Sequence, residues 1–208
     1  MNKDPIRCQF VTYIRALLNH GLTLTFLQSI KQGNDWNYLH ALSDIDKLNI
    51  ERKEKLKASV KWVERFVEML HFYSSCACCE AEKCGLSCQA CGTRTVEKVV
   101  QLFANEGYDY ETLEPEEMRY TGSGSPMPAV EYLVCQTCAK LSLTYHKLHH
   151  MRYILFQKCE DRIETVCSNN SDLSSEQVVE TCMRSSKWIN SIASEYMEIW
   201  RKIELDDF

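Results

Sequence analysis

Apolar residues recur at helical spacing from the start of the chain. Ile6, Phe10, Ile14 and Leu17 fall at steps of three and four. Asp4-Pro5 ahead of them supplies an N-cap and a first helical residue, and Gly21 a stop. A second apolar stretch, Leu22 to Ile30, ends at Gly33-Asn34. Asn34 or Asp35 can cap a short helix carrying Trp36, Tyr38, Leu39 and Leu42. Asp44 can open another, with Ile45, Leu48 and Leu56 on one side and basic residues on the other. Trp62, Phe66, Met69 and Leu70 continue a helical stripe towards His71. Residues 5–73 therefore predict an all-helical layer whose aromatic stripe is core rather than a ligand box.

The period then changes. Val96, Val99, Val100, Leu102 and Phe103 suit a strand, Asn105-Glu106-Gly107 a turn, and Tyr108 to Leu113 the start of a return. The run Thr121-Gly122-Ser123-Gly124-Ser125-Pro126-Met127-Pro128 is the clearest flexible loop. Val130, Tyr132 and Val134 alternate as a second strand, so the two strands predict a hairpin. After Cys138, Leu141, Tyr145, Leu148, Met151, Leu155, Cys159, Ile163 and Val166 predict one long helix with one buried stripe. Cys159 on that stripe reads as a small hydrophobe. Ser168-Asn169-Asn170-Ser171 interrupts the pattern, and Ser174-x-x-Gln177 is a capping box. It opens a last helix with Cys182, Ile189, Ile192, Tyr196, Ile199 and Ile203 on its apolar face.

The expected fold class is α+β and mostly α-helical. It combines a helical N-terminal layer (5–73), a treble-clef or zinc-ribbon-like β-hairpin lobe (74–138) and long C-terminal helices (139–208), all in one domain, 1–208. No apolar run approaches the roughly 20 residues of a membrane span, and Met1–Arg7 does not resemble a signal peptide. No membrane association is expected.

Two Cys-x-x-Cys pairs carry the chemistry: Cys88-Gln-Ala-Cys91, followed by Gly92, and Cys135-Gln-Thr-Cys138. Each pair can place two thiolates about 2.3 Å from one metal, and two pairs complete a tetrahedron. A knuckle, a hairpin and a second knuckle at a helix start form the plan of a structural zinc site, so one structural Zn2+ is expected. Cysteine makes up about 6% of the chain, below the range of small disulfide scaffolds. Without export the setting is reducing, where such pairs bind metal more often than they form bridges. A redox dithiol needs a βαβ context, and the pattern has none. Cys76, Cys78, Cys79 and Cys84, with Cys76-x-x-Cys79 as the core and His71, His146 or His150 to complete it, are candidate ligands for a second zinc. His146 and His150 are four apart and share a helix face.

The net charge of -5 argues against a uniformly basic nucleic-acid binder, but charge is segregated. Lys47 to Arg65 holds seven bases and three acids, and Ala139 to Cys159 four bases and no acid. Glu106 to Glu117 holds six acids and no base. A basic face can meet phosphate and an acidic segment a protein, although solvated helix faces are commonly charged.

Further residues extend the pattern to a known family. Tyr108-Asp-Tyr-Glu-Thr-Leu-Glu114, the late Cys138 and Tyr145-His146-Lys-Leu-His149-His150-x-x-Tyr153 are similar to those of domain of unknown function 4211. Phe10-x-x-Tyr13, Phe26-Leu27, Tyr38-x-x-Ala41-Leu42-x-x-Ile45-Asp46, Arg52-Lys53 and Trp62-x-x-x-Phe66 fit the same pattern. The resemblance covers roughly Cys8 to Val166. It implies a nuclear, chromatin-related setting and no known enzymatic activity. It also implies a rival ligand set of Cys88, Cys91, Cys138 and His146. A helix continuous from Cys138 opposes that set, because eight residues span about 12 Å.

Catalytic signatures are missing. No His is followed two positions later by Glu, and neither Cys-x-x-Cys pair has Pro before it, so the deaminase motif is absent. The hairpin interval 92–134 contains no His for a treble-clef nuclease, and zincin and phosphate-loop motifs are absent. Four thiolates leave no open coordination position for water. The expectation is a non-enzymatic, zinc-stabilised interaction module with a nuclear protein partner, received by the acidic segment, Tyr108, Tyr110 and the exposed faces of the last helices. The alternative is a DNA- or RNA-binding module using Lys140, Lys147, Arg152 and Lys158 on phosphates.

Overall fold

The computed structural model describes residues 4–82, 85–104, 107–116 and 129–207. Among them the chain is mainly helical with a small antiparallel sheet, as expected. The helices are α1 (Pro5–Leu22), α2 (Phe26–Gly33), α3 (Trp36–Ala58), α4 (Glu64–Phe72), α5 (Gln136–His149), α6 (Met151–Asn169), α7 (Ser175–Arg184) and α8 (Ser186–Glu204). The strands are β1 (Ser75–Glu80), β2 (Lys98–Phe103), β3 (Gly107–Tyr108), β4 (Pro115–Glu116) and β5 (Val130–Val134). No helix among the described residues is long and apolar enough to cross a membrane.

Contacts group the chain into two compact units, each discontinuous in sequence. The first comprises Met1–Asn49, Tyr110–Glu114 and Arg152–Lys202. Asp4 caps α1 by accepting from Ile6 N at 3.1 Å, with Pro5 at the first helical position. Asn34, left-handed at φ 52°, ends α2. The predicted Ser174–Gln177 capping box is present at the start of α7. Phe10, Tyr13, Tyr196 and Trp200 form the aromatic centre of this core, with neighbouring ring centroids about 6 Å apart. Trp200 Nε1 donates to Asn49 Oδ1 at 3.2 Å, which satisfies two buried polar groups at once. Cys159 is fully buried here, as its place on the apolar stripe predicts.

The helix pattern differs from expectation at three places, one being that the single last helix expected from the Ser174 capping box is two, α7 and α8, interrupted at Ser185. The two helices expected over residues 35–58 are one continuous helix, α3. Asp44 does not cap it: its carboxylate accepts from Gln9 Nε2 at 2.5 Å, and no Gly or Pro intervenes to stop the turn. Conversely, the single long helix expected after Cys138 is two, α5 and α6, interrupted at His150. Both ring nitrogens of His150 are held by hydrogen bonds, and the backbone there leaves helical geometry at φ -93°, ψ 16°. The apolar stripe runs through the break because both helices bury a face.

The second unit comprises Ile50–Asp109, Pro115–Met151 and Ile203–Phe208. The predicted hairpin is β2 and β5, paired antiparallel from Lys98↔Val134 to Leu102↔Val130. β1 adds to the other side of β2, giving the order β1-β2-β5. Sequence patterning does not predict β1, whose run Ser-Cys-Ala-Cys-Cys-Glu has no β-branched residue and no apolar–polar alternation. The inner face carries Val100, Leu102, Tyr132 and Val134, and Tyr132 meets Phe66 of α4 with ring centroids 4.9 Å apart. The predicted return over 108–113 reduces to a short β3–β4 pairing. Asn105, Glu106 and the Thr121–Pro128 loop lie outside the described residues.

Candidate metal centre

Each cysteine pair is set by its own local geometry. Gly92 N donates to Cys88 O at 2.7 Å and closes the first knuckle, with Gly92 at φ 72°. Cys88 N donates to Arg94 O at 2.7 Å, and Val96 N to Leu86 O at 2.9 Å. The knuckle is pinned to β5 from both directions. Gln89 N donates to Leu133 O at 2.8 Å, and Leu133 N to Gln89 Oε1 at 2.7 Å. Val63 N donates to Ala90 O at 2.8 Å, which ties it to the start of α4. The second pair lies where β5 becomes α5. Cys135 is the N-cap residue, and its sulfur accepts from Cys138 N at 3.4 Å.

These two turns bring the Sγ atoms of Cys88, Cys91, Cys135 and Cys138 within 4.8 Å of one another. Ligand sulfurs about 2.3 Å from a common ion would lie about 3.8 Å apart in a tetrahedron, so only a small contraction is needed. Cys88, Cys135 and Cys138 are buried, each 1% exposed, and Cys91 is partly exposed. Two further donors face the sulfurs: Trp62 Nε1 to Cys138 at 3.3 Å, and Thr93 Oγ1 to Cys91 at 3.4 Å. Such outer hydrogen bonds orient thiolate ligands and stabilise their charge. Burial raises the Cys135 and Cys138 thiols. Burial also opposes ionisation of Cys91, but hydrogen bonds from Thr93 and the neighbouring thiols bring it down to about 6. Four sulfurs, mostly buried and backed by N–H and O–H donors, fit a metal ion. Among the described residues this is the one group of metal-type ligands brought together.

The other candidate ligands lie elsewhere. His146 Nε2 donates to Tyr73 O at 2.8 Å, and His150 Nε2 to Leu70 O at 3.0 Å. The shared face of the two histidines thus meets carbonyls at the C-terminal end of α4. α5 runs unbroken from Cys138 through His146, the condition under which the rival Cys88-Cys91-Cys138-His146 set cannot close. Cys76 and Cys79 lie on β1 three residues apart, so their side chains leave opposite faces of the strand. His71 Nε2 bonds the Tyr145 hydroxyl at 2.7 Å. Cys84 lies outside the described residues. Trp62 and Thr93 were not identifiable beforehand: Trp62 reads as core by its spacing, and an ordinary threonine carries no signal.

The four basic residues also separate. Lys140 is exposed and Lys147 half-buried on α5. Lys158 pairs with Glu195 at 2.9 Å. Arg152 is largely buried, donates to Asp46 and to the Tyr13 hydroxyl, and lies 5.5 Å from the Tyr110 ring centroid. Arg152→Met removes the partner of a mostly buried carboxylate and is expected to cost about 2–3 kcal/mol. Urea denaturation checks this, and a cost below about 0.5 kcal/mol would show the pair to be surface-like.

Within the acidic segment, Tyr108 donates towards the histidines, with its hydroxyl 2.5 Å from His150 Nδ1. Tyr110 is 47% exposed, and Glu111, Glu114 and Glu116 are exposed. Glu106 and Glu117 lie outside the described residues.

Comparison with known proteins gives relatives and a family. The chain is 24% identical over 196 residues to Proline-rich protein 12 of Mus musculus and to Proline-rich protein 12 of Homo sapiens. The aligned region covers 93% of this chain but only 9% of either relative. No solved structure matches it. Residues 1–113, more than half of the chain, match the model described as Domain of unknown function (DUF4211), and the chain belongs to that family.

Proposed function

We propose that this chain is a non-catalytic protein-interaction module, stapled by one structural zinc ion and working on chromatin in the nucleus. The observation that carries the reading is the closed set of Cys88, Cys91, Cys135 and Cys138. An all-thiolate set suits zinc among the abundant divalent ions, and four protein ligands leave no position for a substrate or an activated water. The ion then acts by joining the first knuckle to the start of α5. The nuclear, chromatin-related setting is what the resemblance of the sequence motifs implies. The exposed carboxylate of Glu114 and the Tyr110 ring support a protein partner, and Glu111 beside them is paired with Lys31 at 3.3 Å on the surface. Nucleic-acid binding is the second reading, because Arg152 and Lys158 are already ion-paired.

Native mass spectrometry of the purified chain is expected to show one zinc per molecule. Affinity capture from nuclear extract is expected to recover proteins that are lost when Glu111 and Glu114 are replaced by glutamine. No shift of duplex DNA or RNA is expected at about 50 mM salt. A folded, metal-free protein would overturn the staple. A nucleic-acid complex lost steeply with added salt would install the second reading instead.

A further inference from the structure

The four sulfurs of the candidate metal centre are not equally enclosed. Cys88, Cys135 and Cys138 are buried, whereas Cys91 is partly exposed. The surface beside Cys91 is open: a Cβ added to the next residue, Gly92, would meet no atom within 4 Å beyond its chain neighbours. Cys91 also lines a solvent-open cavity of about 390 Å³. That lining is electropositive. Lys61 and Arg94 contribute two cations to it, and its one carboxylate, Asp206, has Lys55 Nζ at 3.7 Å. A partly exposed cysteine among cations is the setting in which sulfur reacts, whereas thiols buried on all sides are inert. Reversible oxidation also needs a neighbouring thiol to resolve the oxidised sulfur. Cys88 supplies it from the same turn, which the Gly92 N to Cys88 O bond closes at 2.7 Å. The two Sγ atoms lie within 4.8 Å of one another.

We infer that Cys91 is an oxidation site, at which a peroxide converts the Cys88–Cys91 pair to a disulfide and removes the first knuckle from the metal. This deepens the zinc-staple reading and rests on it. The Cys91 thiolate attacks one peroxide oxygen: an S–O bond forms, the O–O bond breaks, and the departing hydroxide is protonated to water. The Cys88 thiolate then attacks Cys91 Sγ. The S–S bond forms as the S–O bond breaks, and a second hydroxide leaves and is protonated to water. The two sulfurs have lost two electrons and the peroxide has gained them. Cys135 and Cys138 are then the only ligands left, too few for a four-coordinate structural site. Thr93 Oγ1, donating to Cys91 Sγ at 3.4 Å, draws charge from that sulfur and slows the attack. The centre is thus closed at three corners and open to small oxidants at the fourth.

The test uses the zinc-loaded full chain, hydrogen peroxide in excess and a chromogenic zinc chelator. Zinc release is expected to be first order in peroxide. Thiol mapping by mass spectrometry should then find Cys88 joined to Cys91, with Cys135 and Cys138 free to take up an alkylating reagent. Brief iodoacetamide treatment of the loaded protein should label Cys91 ahead of the other three ligands. Exposed Cys78 and Cys79 also meet peroxide, and replacing both by serine should leave the release rate unchanged. Thr93→Val keeps all four ligands and is expected to raise the peroxide-dependent rate about fivefold, after release without peroxide is subtracted. Dithiothreitol with added zinc should restore the metal. Release at a rate independent of peroxide, equal labelling of the four ligands, or zinc retained through millimolar peroxide overturns the inference and leaves the zinc staple standing. A folded chain that purifies without zinc removes the staple, and this inference with it, before any peroxide is added.

Discussion

Cys138→Ser is expected to release the metal and unfold the sheet lobe, at a cost of at least about 5 kcal/mol. A serine hydroxyl is not ionised near neutral pH and is a poor ligand, so three thiolates and an open position remain. Structural zinc in small domains supplies roughly 10–16 kcal/mol of apparent binding free energy, which becomes folding free energy when the unfolded chain has no site. Here the lobe also has an apolar inner face, with Val100, Leu102 and Val134 fully buried, so the loss falls below that ceiling. Among the described residues the knuckles have few other long-range ties: the Gln89–Leu133 exchange, the Val63–Ala90 bond and a hydrogen bond from Arg94 to Thr137 of the second pair. Hydrogen exchange should show β2 and β5 losing protection together with Gly92 N, while α1 and α8 retain theirs. Exposed Cys78 provides the control, since Cys78→Ser should leave metal content and protection unchanged. A Cys138→Ser protein that keeps its metal and its strand protection would falsify the assignment.

How legible the chain was depends on whether the signal was local. The Asp4-Pro5 start of α1 and the Ser174–Gln177 box are short-range chemistry, and both are present in the structure. Cys88-x-x-Cys91 and Cys135-x-x-Cys138 are local as pairs, and the alternation of Val130, Tyr132 and Val134 brings them together through a hairpin. Errors arose where tertiary partners override local preference. Asp44 resembles a helix start until Gln9 is seen to occupy its carboxylate. His150 resembles one more position on an amphipathic helix until Leu70 O and the Tyr108 hydroxyl are seen to hold its ring. β1 shows neither clean alternation nor β-branched residues, because its stability comes from pairing with β2 rather than from its own composition. The two-unit division is a property of long-range contacts, and contiguous stretches of periodicity do not display it.

Acidification from pH 7 to 4.5 is expected to remove about 4–5 kcal/mol of stability through two histidines, His149 and His150. His71 and His149 stack with centroids 3.9 Å apart and planes within 7°, and His146 and His150 lie 4.4 Å apart. From α3, Lys53 approaches His149 Nδ1 at 3.4 Å. Burial, then the positive forms of His146 and other neighbours, lower His150 to about 3. Burial, then His150, His71, Lys53 and His146, lower His149 to about 2. His150 Nε2–H donates to Leu70 O, so its Nδ1 accepts from the Tyr108 hydroxyl, and the neutral ring is fully satisfied. Both folded-state values lie below the unfolded value of about 6.5, so the unfolded chain binds more protons as pH falls. Stability is therefore full above about pH 6.5 and declines towards pH 3. At pH 4.5 each ring contributes up to about 2.7 kcal/mol of loss, and partial exposure of His149 reduces the sum. The thiolate centre also binds protons in acid, so the comparison is made between proteins. His149→Phe preserves a ring against His71, and His150→Gln can still donate to Leu70 O and accept from Tyr108. In the double variant the stability difference between pH 7 and 4.5 should shrink by about 4 kcal/mol, read from urea denaturation at each pH. The contribution from the cysteines cancels in that difference. An unchanged difference would show that the histidines already carry protons in the folded protein, which the Tyr108 hydroxyl donating to His150 and the Lys53 ammonium beside His149 argue against.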